Sequence, residues 1–362
     1  MTDSITLQKR DADFMKRAME LAFQGMGSVS PNPMVGCVVV HEGKIIGEGY
    51  HKEYGQLHAE PNAINSVKDK ALLKESTVYV TLEPCAHHGK TPPCADLLVD
   101  RKVKRVVIGA IDSNPLVGGK GVKIVREAGI EVTTGVLEDE LRWQNRRFFT
   151  MMEKKRPYVI LKWAQTQDGF VARKNYDSKW ISNSLSRQMV HRWRAEEAAI
   201  MVGTKTAYYD NPRLNVRDWV GKDPIRVLID KQLTLDTNYS LFDGSQPTIC
   251  YNLLKSSEVK NLSYVKLEEG FSVEDILDDL YDRKVQSIII EGGSVLLQHF
   301  IRLGIWDEAR VFVGPVRFGE GIPSPKLDLE PQKIMEISGD LLKIYFNSQE
   351  QGGLLQFSKL HG

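Results

Sequence analysis

Apolar residues Phe14, Ala18, Leu21 and Ala22 recur at i, i+4, i+7 and i+8, one face of a helix, and Gly25 and Gly27 suit its C-terminal stop. Pro31-Asn32-Pro33 predicts a rigid turn. The unbroken apolar run at 35–40 then reads as a buried strand, and Glu42-Gly43 turns it into a second strand at 45–50. From there the pattern alternates. Helices are predicted at 59–67, 94–101, 121–128 and 138–149, with strands at 77–82, 105–110 and 130–134. Short helices between strands predict a sheet covered by helices.

The stretch 151–156 is short and charged, and Pro157 follows it, which places a domain boundary there. Residues 1–150 would form one domain and 151–362 another, as a length of 362 residues allows. The second part restarts with strands at 158–164, 200–203, 225–230, 248–251, 287–291 and 308–313. Helical patterns lie at 186–195, 273–283 and 295–303, so this part is again α/β. No internal repeat or low-complexity tract interrupts either half.

Composition narrows the function class. The chain is 42 % hydrophobic and 26 % charged, which excludes a disordered chain. Lys and Arg number 48 against 47 Asp and Glu, a formal net charge of +1. Neither half carries the basic excess of a long nucleic-acid footprint. No apolar run is long enough to span a membrane, and the first residues lack the apolar core of an export signal. With only 4 cysteines (37, 85, 94 and 250), a disulfide framework is not expected. A reduced, cytoplasmic chain is.

The sharpest chemistry is His58-Ala59-Glu60, then Pro84-Cys85, then Cys94. An imidazole and two thiolates suit Zn²⁺, and three protein ligands leave a fourth position for water, the mark of a catalytic site. Zinc lowers the pKa of such a water toward neutrality, and Glu60, two residues after the ligand, could carry its protons. Pro61 suits the first turn of a helix, which would present His58 and Glu60 at its N-terminal end. Cys37, alone inside an apolar strand, reads as a small core residue. His87 and His88 are rival ligands by type, although a loop histidine beside a substrate pocket is the more ordinary reading. A fourth ligand from that pair would instead make a closed structural-zinc module.

This set resembles the zinc-dependent cytidine-deaminase superfamily, in which His-x-Glu and Pro-Cys-x-x-Cys hold the metal. Here eight residues separate Cys85 from Cys94, not two. That long loop resembles one branch, the deaminase domain of the bifunctional riboflavin-biosynthesis deaminase/reductases. Asn32-Pro33-Met34-Val35-Gly36, His51 and Asp112-Ser113-Asn114 resemble the same branch's substrate segments. The Pro61-Asn62 that follows the triplet departs from it. The resemblance implies that Asn32, His51, His87, Lys90, Thr91, Asp112 and Asn114 bind the pyrimidine.

The second half is weaker alone. Glu291-Gly292-Gly293-Ser294 after a strand could meet a phosphate at a helix N-terminus or simply turn, and no Gly-x-Gly-x-x-Gly fingerprint is present. Arg194 and Arg217 are natural phosphate binders or, equally in kind, surface ion-pair residues. Asp168-Gly169, Asp177 to Ser182 and Gly203 to Arg217 resemble, in this order, the reductase domain of the same bifunctional family. Its fold is dihydrofolate-reductase-like. By that resemblance, Ala164, Trp180, Thr206, Asp210, Gly293, Ser294, Val295, Leu296, Leu297, Gln298 and His299 would line an NADPH site. Ser178, Arg194, Leu214, Arg217 and Glu291 would hold the phosphoribosyl substrate. The segment Gly314 to Gly321 is less glycine-rich than in the family.

The expectation is a cytidine-deaminase-like α/β/α domain followed by a dihydrofolate-reductase-like α/β domain, with one zinc per chain and NADPH. The first would deaminate 2,5-diamino-6-ribosylamino-4(3H)-pyrimidinone 5′-phosphate, and the second would reduce the ribosyl group of the product to ribityl. The partner is a small phosphoribosyl pyrimidine, with no nucleic acid or membrane, and the family suggests a homo-oligomer. A nucleoside or tRNA deaminase shares the zinc logic, but it leaves the second half unexplained and, for tRNA, wants a basic domain.

Overall fold

The computed structural model describes residues 2–86, 92–114 and 118–347, with side chains from residue 7 onward. His87, His88, Lys90 and Thr91 therefore lie outside the described residues. The chain divides into two units, Met1–Lys155 and Arg156–Gly362.

The first unit opens with helix α1 (Thr2–Phe23) and a hairpin of β1 (Gly36–His41) and β2 (Lys44–Tyr50). Glu42 and Gly43 take φ of 47° and 75°, the left-handed pair that matches a tight hairpin to the strand twist. Helix α2 (Ala59–Ser66), a 3₁₀ turn (Lys70–Glu75), β3 (Thr77–Leu82), α3 (Cys94–Asp100), β4 (Arg105–Ala110), α4 (Lys120–Glu127) and β5 (Glu131–Thr134) follow, then α5 (Glu138–Gln144) and α6 (Arg146–Lys154). The sheet runs β2-β1-β3-β4-β5, antiparallel at β1 and parallel from β3 to β5.

Period-two side-chain alternation makes this an α/β/α layer. On β1, Cys37 and Val39 pack with Ala63 and Ile64 of α2, Leu98 of α3 and Val125 of α4. Val38 and Val40 face the other way, toward Met15 and Ala18 of α1 and Phe148 and Phe149 of α6. Between α1 and the sheet lies a buried ion pair. Arg105 donates to both carboxylate oxygens of Asp11, at 2.9 and 2.7 Å, and the Tyr79 hydroxyl donates to the same group at 2.8 Å.

Two local features differ from the sequence expectation. The helix expected over 138–149 breaks at Asn145, whose amide accepts from Met34 N–H at 2.8 Å and donates to Met34 C=O at 2.9 Å. That pairing is non-local and has no sequence pattern. The charged stretch after 150 continues as helix to Lys154, because its other face buries Phe148, Phe149 and Met151.

The second unit contains β6 (Tyr158–Gln165), β7 (Phe170–Ala172), α7 (Ser184–Glu196), β8 (Ala199–Gly203), α8 (Thr204–Asp210), β9 (Ile225–Ile229), β10 (Thr248–Asn252), β11 (Ser257–Val259) and β12 (Leu262–Lys266). After these come α9 (Val273–Asp282), β13 (Ser287–Ile290), α10 (Ser294–Leu303), β14 (Glu308–Val313), β15 (Ile322–Pro323), β16 (Lys333–Ile337) and β17 (Asp340–Phe346). Ten strands form one sheet in the order β11-β12-β10-β9-β8-β13-β6-β14-β17-β16, while β7 and β15 pair separately. The strands from β12 across to β14 are parallel, and β11, β17 and β16 add antiparallel edges. One face packs under α9 and α10 through Ile276, Leu280 and Phe300, the other under α7 and α8 through Val190, Trp193 and Ala207. No helix among the described residues is long and apolar enough to cross a membrane.

Removing one member of a buried ion pair leaves its partner uncompensated. Asp11→Ala is expected to destabilise the first unit by about 3 kcal/mol, softened by the 3.0 Å contact that Arg105 keeps with Glu131. Urea unfolding of the full chain measures it, and a change under about 1 kcal/mol would place the pair among surface-like bridges.

Candidate active sites

In the first unit, the termini of two helices and one strand converge. His58 is the N-cap of α2, in extended conformation, with Pro61 in the first turn, where its missing N–H costs nothing. Cys85 follows the carboxyl end of β3, and Cys94 is the first residue of α3. The ligand atoms of His58, Cys85 and Cys94 all lie within 4.8 Å of one another, the one such group found among the described residues. His58 Nδ1 is 3.5 Å from Cys85 Sγ and 3.4 Å from Cys94 Sγ. The Cys94 amide donates to Cys85 Sγ at 3.3 Å.

These contacts set the proton distribution. A hydrogen bond from the Cys94 thiol, and then His58, pulls Cys85 down to about 4, while Cys94 is pushed well up by the same sulfur pair. One thiolate beside one thiol and an imidazole is the donor set a zinc ion completes by displacing the remaining proton. Glu60, buried at 3 % exposure, is raised to about 7 by burial and by the Cys85 charge. Cys37 is fully buried on β1 and outside the cluster.

Of the candidate pyrimidine residues, Asn32 and His51 meet directly, Asn32 Nδ2 lying 3.1 Å from His51 Nε2. The other ring nitrogen of His51 faces Leu57 C=O at 3.1 Å, so it carries the proton and Nε2 accepts. Burial lowers the His51 pKa and favours this neutral form. The His51 ring stands edge-on to His58, with centroids 5.4 Å apart. Asp112 and Asn114 share a loop after β4, where Asp112 Oδ1 accepts the Asn114 N–H at 2.7 Å.

In the second unit the candidates gather where β6, β8 and β13 end. Glu291, just after β13, accepts from Arg194 at 2.7 and 3.3 Å, and Lys162 of β6 lies 4.0 Å away. Those cations hold the Glu291 carboxyl at about 2 against its burial. Arg194 is thus a buried partner of Glu291 and also donates to Asn215 C=O at 3.3 Å. Arg217 has 54 % of its side chain exposed. Ser178 donates to Asp210 at 3.4 Å, which brings one substrate candidate onto one cofactor candidate.

Trp180, Leu214 and Gly293 have φ of 67°, 53° and 56°. The first two are left-handed non-glycine residues of the kind that clusters at functional sites. Gly292 admits no side chain, since a Cβ there would lie 2.7 Å from Val202 Cα. Gly293 caps α10, and a Cβ on it would stand 3.2 Å from Thr206 Oγ1. Trp180 and Val295 are exposed at 72 % and 80 %, Leu296 and Ala164 are half-buried, and Leu297 is in the core beneath the sheet. The Leu297 side chain packs inward from α10, just after Gly293 and Ser294. Ser294 donates to Pro323 C=O, Gln298 accepts from Lys326 N–H, and His299 contacts Arg302. The segment Gly314 to Gly321 is clamped by Asp168, which accepts from Phe318 and Gly319 N–H.

Sequence reasoning missed Glu83, Lys162 and His191. His191 is buried on α7. Its Nδ1 accepts Arg217 N–H at 3.4 Å and its Nε2 faces Asp218 at 3.3 Å. A lone histidine on an amphipathic helix carries no signal of this, since both partners sit in a distant loop.

Comparison with known proteins extends over both units. Residues 8–110 match the family described as cytidine and deoxycytidylate deaminase zinc-binding region, and residues 157–343 the RibD C-terminal domain. The riboflavin biosynthesis protein RibD of Aquifex aeolicus (strain VF5) is 39 % identical over 354 residues, covering 94 % of this chain and 99 % of that one. RibD of Actinobacillus pleuropneumoniae is 40 % identical over 320 residues, 85 % of each chain. Among solved structures, a diaminohydroxyphosphoribosylaminopyrimidine deaminase/5-amino-6-(5-phosphoribosylamino)uracil reductase from Thermotoga maritima is similar with a TM-score of 0.85 at 39 % identity, covering 94 % of this chain and 99 % of that one. RibD of Acinetobacter baumannii has a TM-score of 0.86 at 34 % identity, covering 94 % and 100 %.

Two outcomes test the site chemistry. Cys94→Ser should lose zinc by metal analysis while Cys37→Ser retains it, and full zinc in the Cys94 variant contradicts the ligand set. His191 is held down to about 4 by burial and by the charges of Arg194 and Arg217, against the pull of Asp218 and of a backbone hydrogen bond with Asn215. The unfolded chain therefore takes up a proton there first, and stability present above about pH 6.5 is lost as pH falls toward 4. Urea unfolding across that range should show a shallower pH slope in His191→Gln, and an unchanged slope excludes His191 as its source.

Proposed function

Because the chain belongs to the bifunctional riboflavin-biosynthesis deaminase/reductase family, we propose that residues 1–150 carry the deaminase and 151–362 the reductase. It is an enzyme of riboflavin biosynthesis with a zinc-dependent deaminase domain of cytidine-deaminase type and an NADPH-dependent reductase domain of dihydrofolate-reductase-like fold. The deaminase substrate is 2,5-diamino-6-ribosylamino-4(3H)-pyrimidinone 5′-phosphate, and the reductase acts on 5-amino-6-(5-phosphoribosylamino)uracil. The enzyme works in the cytoplasm, where its metal-site thiols stay reduced, and as a homo-oligomer.

The observation that carries this reading is Glu60, buried beside a His-Cys-Cys donor set in a chain whose relatives match it nearly end to end. His58, Cys85 and Cys94 hold zinc, which supplies Lewis acidity when bound. Glu60, raised to about 7, is matched to proton transfer near neutrality. It takes a proton from the attacking water and returns one to the leaving ammonia at the ring carbon that bore the 2-amino group. His51 holds the Asn32 amide by its Nδ2, leaving the Asn32 carbonyl to accept from a pyrimidine N–H. Asp112 and Asn114 also bind the pyrimidine, as do His87, Lys90 and Thr91, which follow Cys85 in the sequence.

In the reductase, NADPH supplies the hydride that converts ribosyl to ribityl. Ala164, Trp180, Thr206, Asp210 and the start of α10 from Gly293 bind it. Ser178, Leu214 and Arg217 hold the phosphoribosyl group, with Arg194 fixed by Glu291. Arg217 presents the freer charge for phosphate, whereas Arg194→Ala would strand a buried carboxylate.

Glu60→Gln should keep zinc and lower deamination by about 10²–10⁴-fold or more, with reduction of supplied aminouracil substrate unchanged. Mass spectrometry of products with and without NADPH reads both steps, and surviving deamination removes Glu60 from the proton path. Arg217→Ala should raise the reductase KM by about 10-fold and leave deamination alone. An unchanged KM makes Arg217 an ordinary surface residue.

A further inference from the structure

Glu83 stands between the end of β3 and the Pro84-Cys85 pair, and it is buried at 4 % exposure. Its Oε2 accepts the N–H of Asp112 at 3.3 Å and of Gly119 at 2.9 Å, and its Oε1 accepts the N–H of Val122 at 3.1 Å. One oxygen thus closes both ends of the loop between β4 and α4, and the other binds the first turn of α4. The N-cap of that helix is Gly119, which has no side chain to satisfy the open N–H groups. Glu83 supplies this cap from the segment after β3, and its charge suits the positive helix end. Packing adds to the grip, because a Cβ on Gly121 would meet Pro84 C=O at 2.0 Å. Within the loop, Gly118 N–H donates to Asn114 C=O at 2.9 Å.

We propose that Glu83 is a positioning residue for deamination, locking the loop that bears Asp112 and Asn114 to the loop that bears Cys85. It rests on the reading above that Asp112 and Asn114 face the pyrimidine. A carboxylate is needed because three N–H donors converge on two oxygens. A glutamine amide turns its NH₂ against at least one of them. The substrate-facing loop then loosens relative to the metal ligands although size and shape are kept.

Glu83→Gln, Asn114→Ala and the double variant, each as the full chain, are compared for zinc content, thermal unfolding, deaminase KM and kcat, and reduction. Glu83→Gln is expected to keep zinc and reduction and to raise the deaminase KM about 10-fold. In the double variant it should add little to the KM rise of Asn114→Ala, because both act through one loop. If the two rises multiply independently, or Glu83→Gln leaves KM unchanged while Asn114→Ala raises it, the proposal is wrong. Zinc lost in step with activity also overturns it, since Glu83 would then only support the cysteine loop. An unchanged KM in Asn114→Ala overturns the reading of the loop, and the proposal with it. Should Glu83→Gln not fold, Glu83→Asp, which keeps the charge but shortens its reach, enters the same comparison under the same criteria.

Discussion

Parallel strand pairing is the constraint on which both sites depend. Strands that run the same way release their loops at the same edge, and the helices that carry the chain back begin there. In the first unit β3 pairs parallel to β4, so the cysteine loop and the Asp112–Asn114 loop leave side by side. In the second, β8, β13 and β6 are parallel neighbours, so Gly203, Glu291 and Gln165 end at one edge. Chemistry gathers where helix N-termini and strand ends meet.

That arrangement places ionisable groups out of water, and each must be compensated. Glu291 is held charged by Arg194 and Lys162. Glu83 is satisfied by three backbone N–H groups. Glu60 is the exception. Beside a developing thiolate and away from solvent, it is pushed toward neutrality rather than held ionised. Within one unit, two buried glutamates meet opposite surroundings, Glu83 helix-end N–H donors and Glu60 the cysteine sulfurs.

In the second unit several of these side chains also converge on one backbone segment. Arg226, almost wholly buried, donates to Arg213 C=O at 2.9 Å. Arg194 donates to Asn215 C=O, Asp223 accepts the Val216 N–H at 2.6 Å, and His191 accepts the Arg217 N–H. Four side chains from outside hold residues 213–217, which carry Leu214 in left-handed conformation. Strain at Leu214 persists because its surroundings determine it from several directions. The same contacts fix the backbone from which Arg217 projects.

The candidate metal cluster of His58, Cys85 and Cys94, the α/β class and the principal strands were legible in the sequence. Each is a local signal, either a residue type with few alternatives or an apolar period that one segment carries by itself. Strands β7, β11, β12 and β15 to β17 were not, because each is either very short or only partly buried, so no unbroken apolar run marks it. Nor was the short α8. The break at Asn145, the clamp at Glu83, the pairing of Arg194 with Glu291 and the inward turn of Leu297 belong to the tertiary structure alone. Each is decided by partners about thirty or more residues away or by the face a helix presents after packing. A hydrogen bond to a distant backbone N–H leaves no periodicity in the chain that makes it.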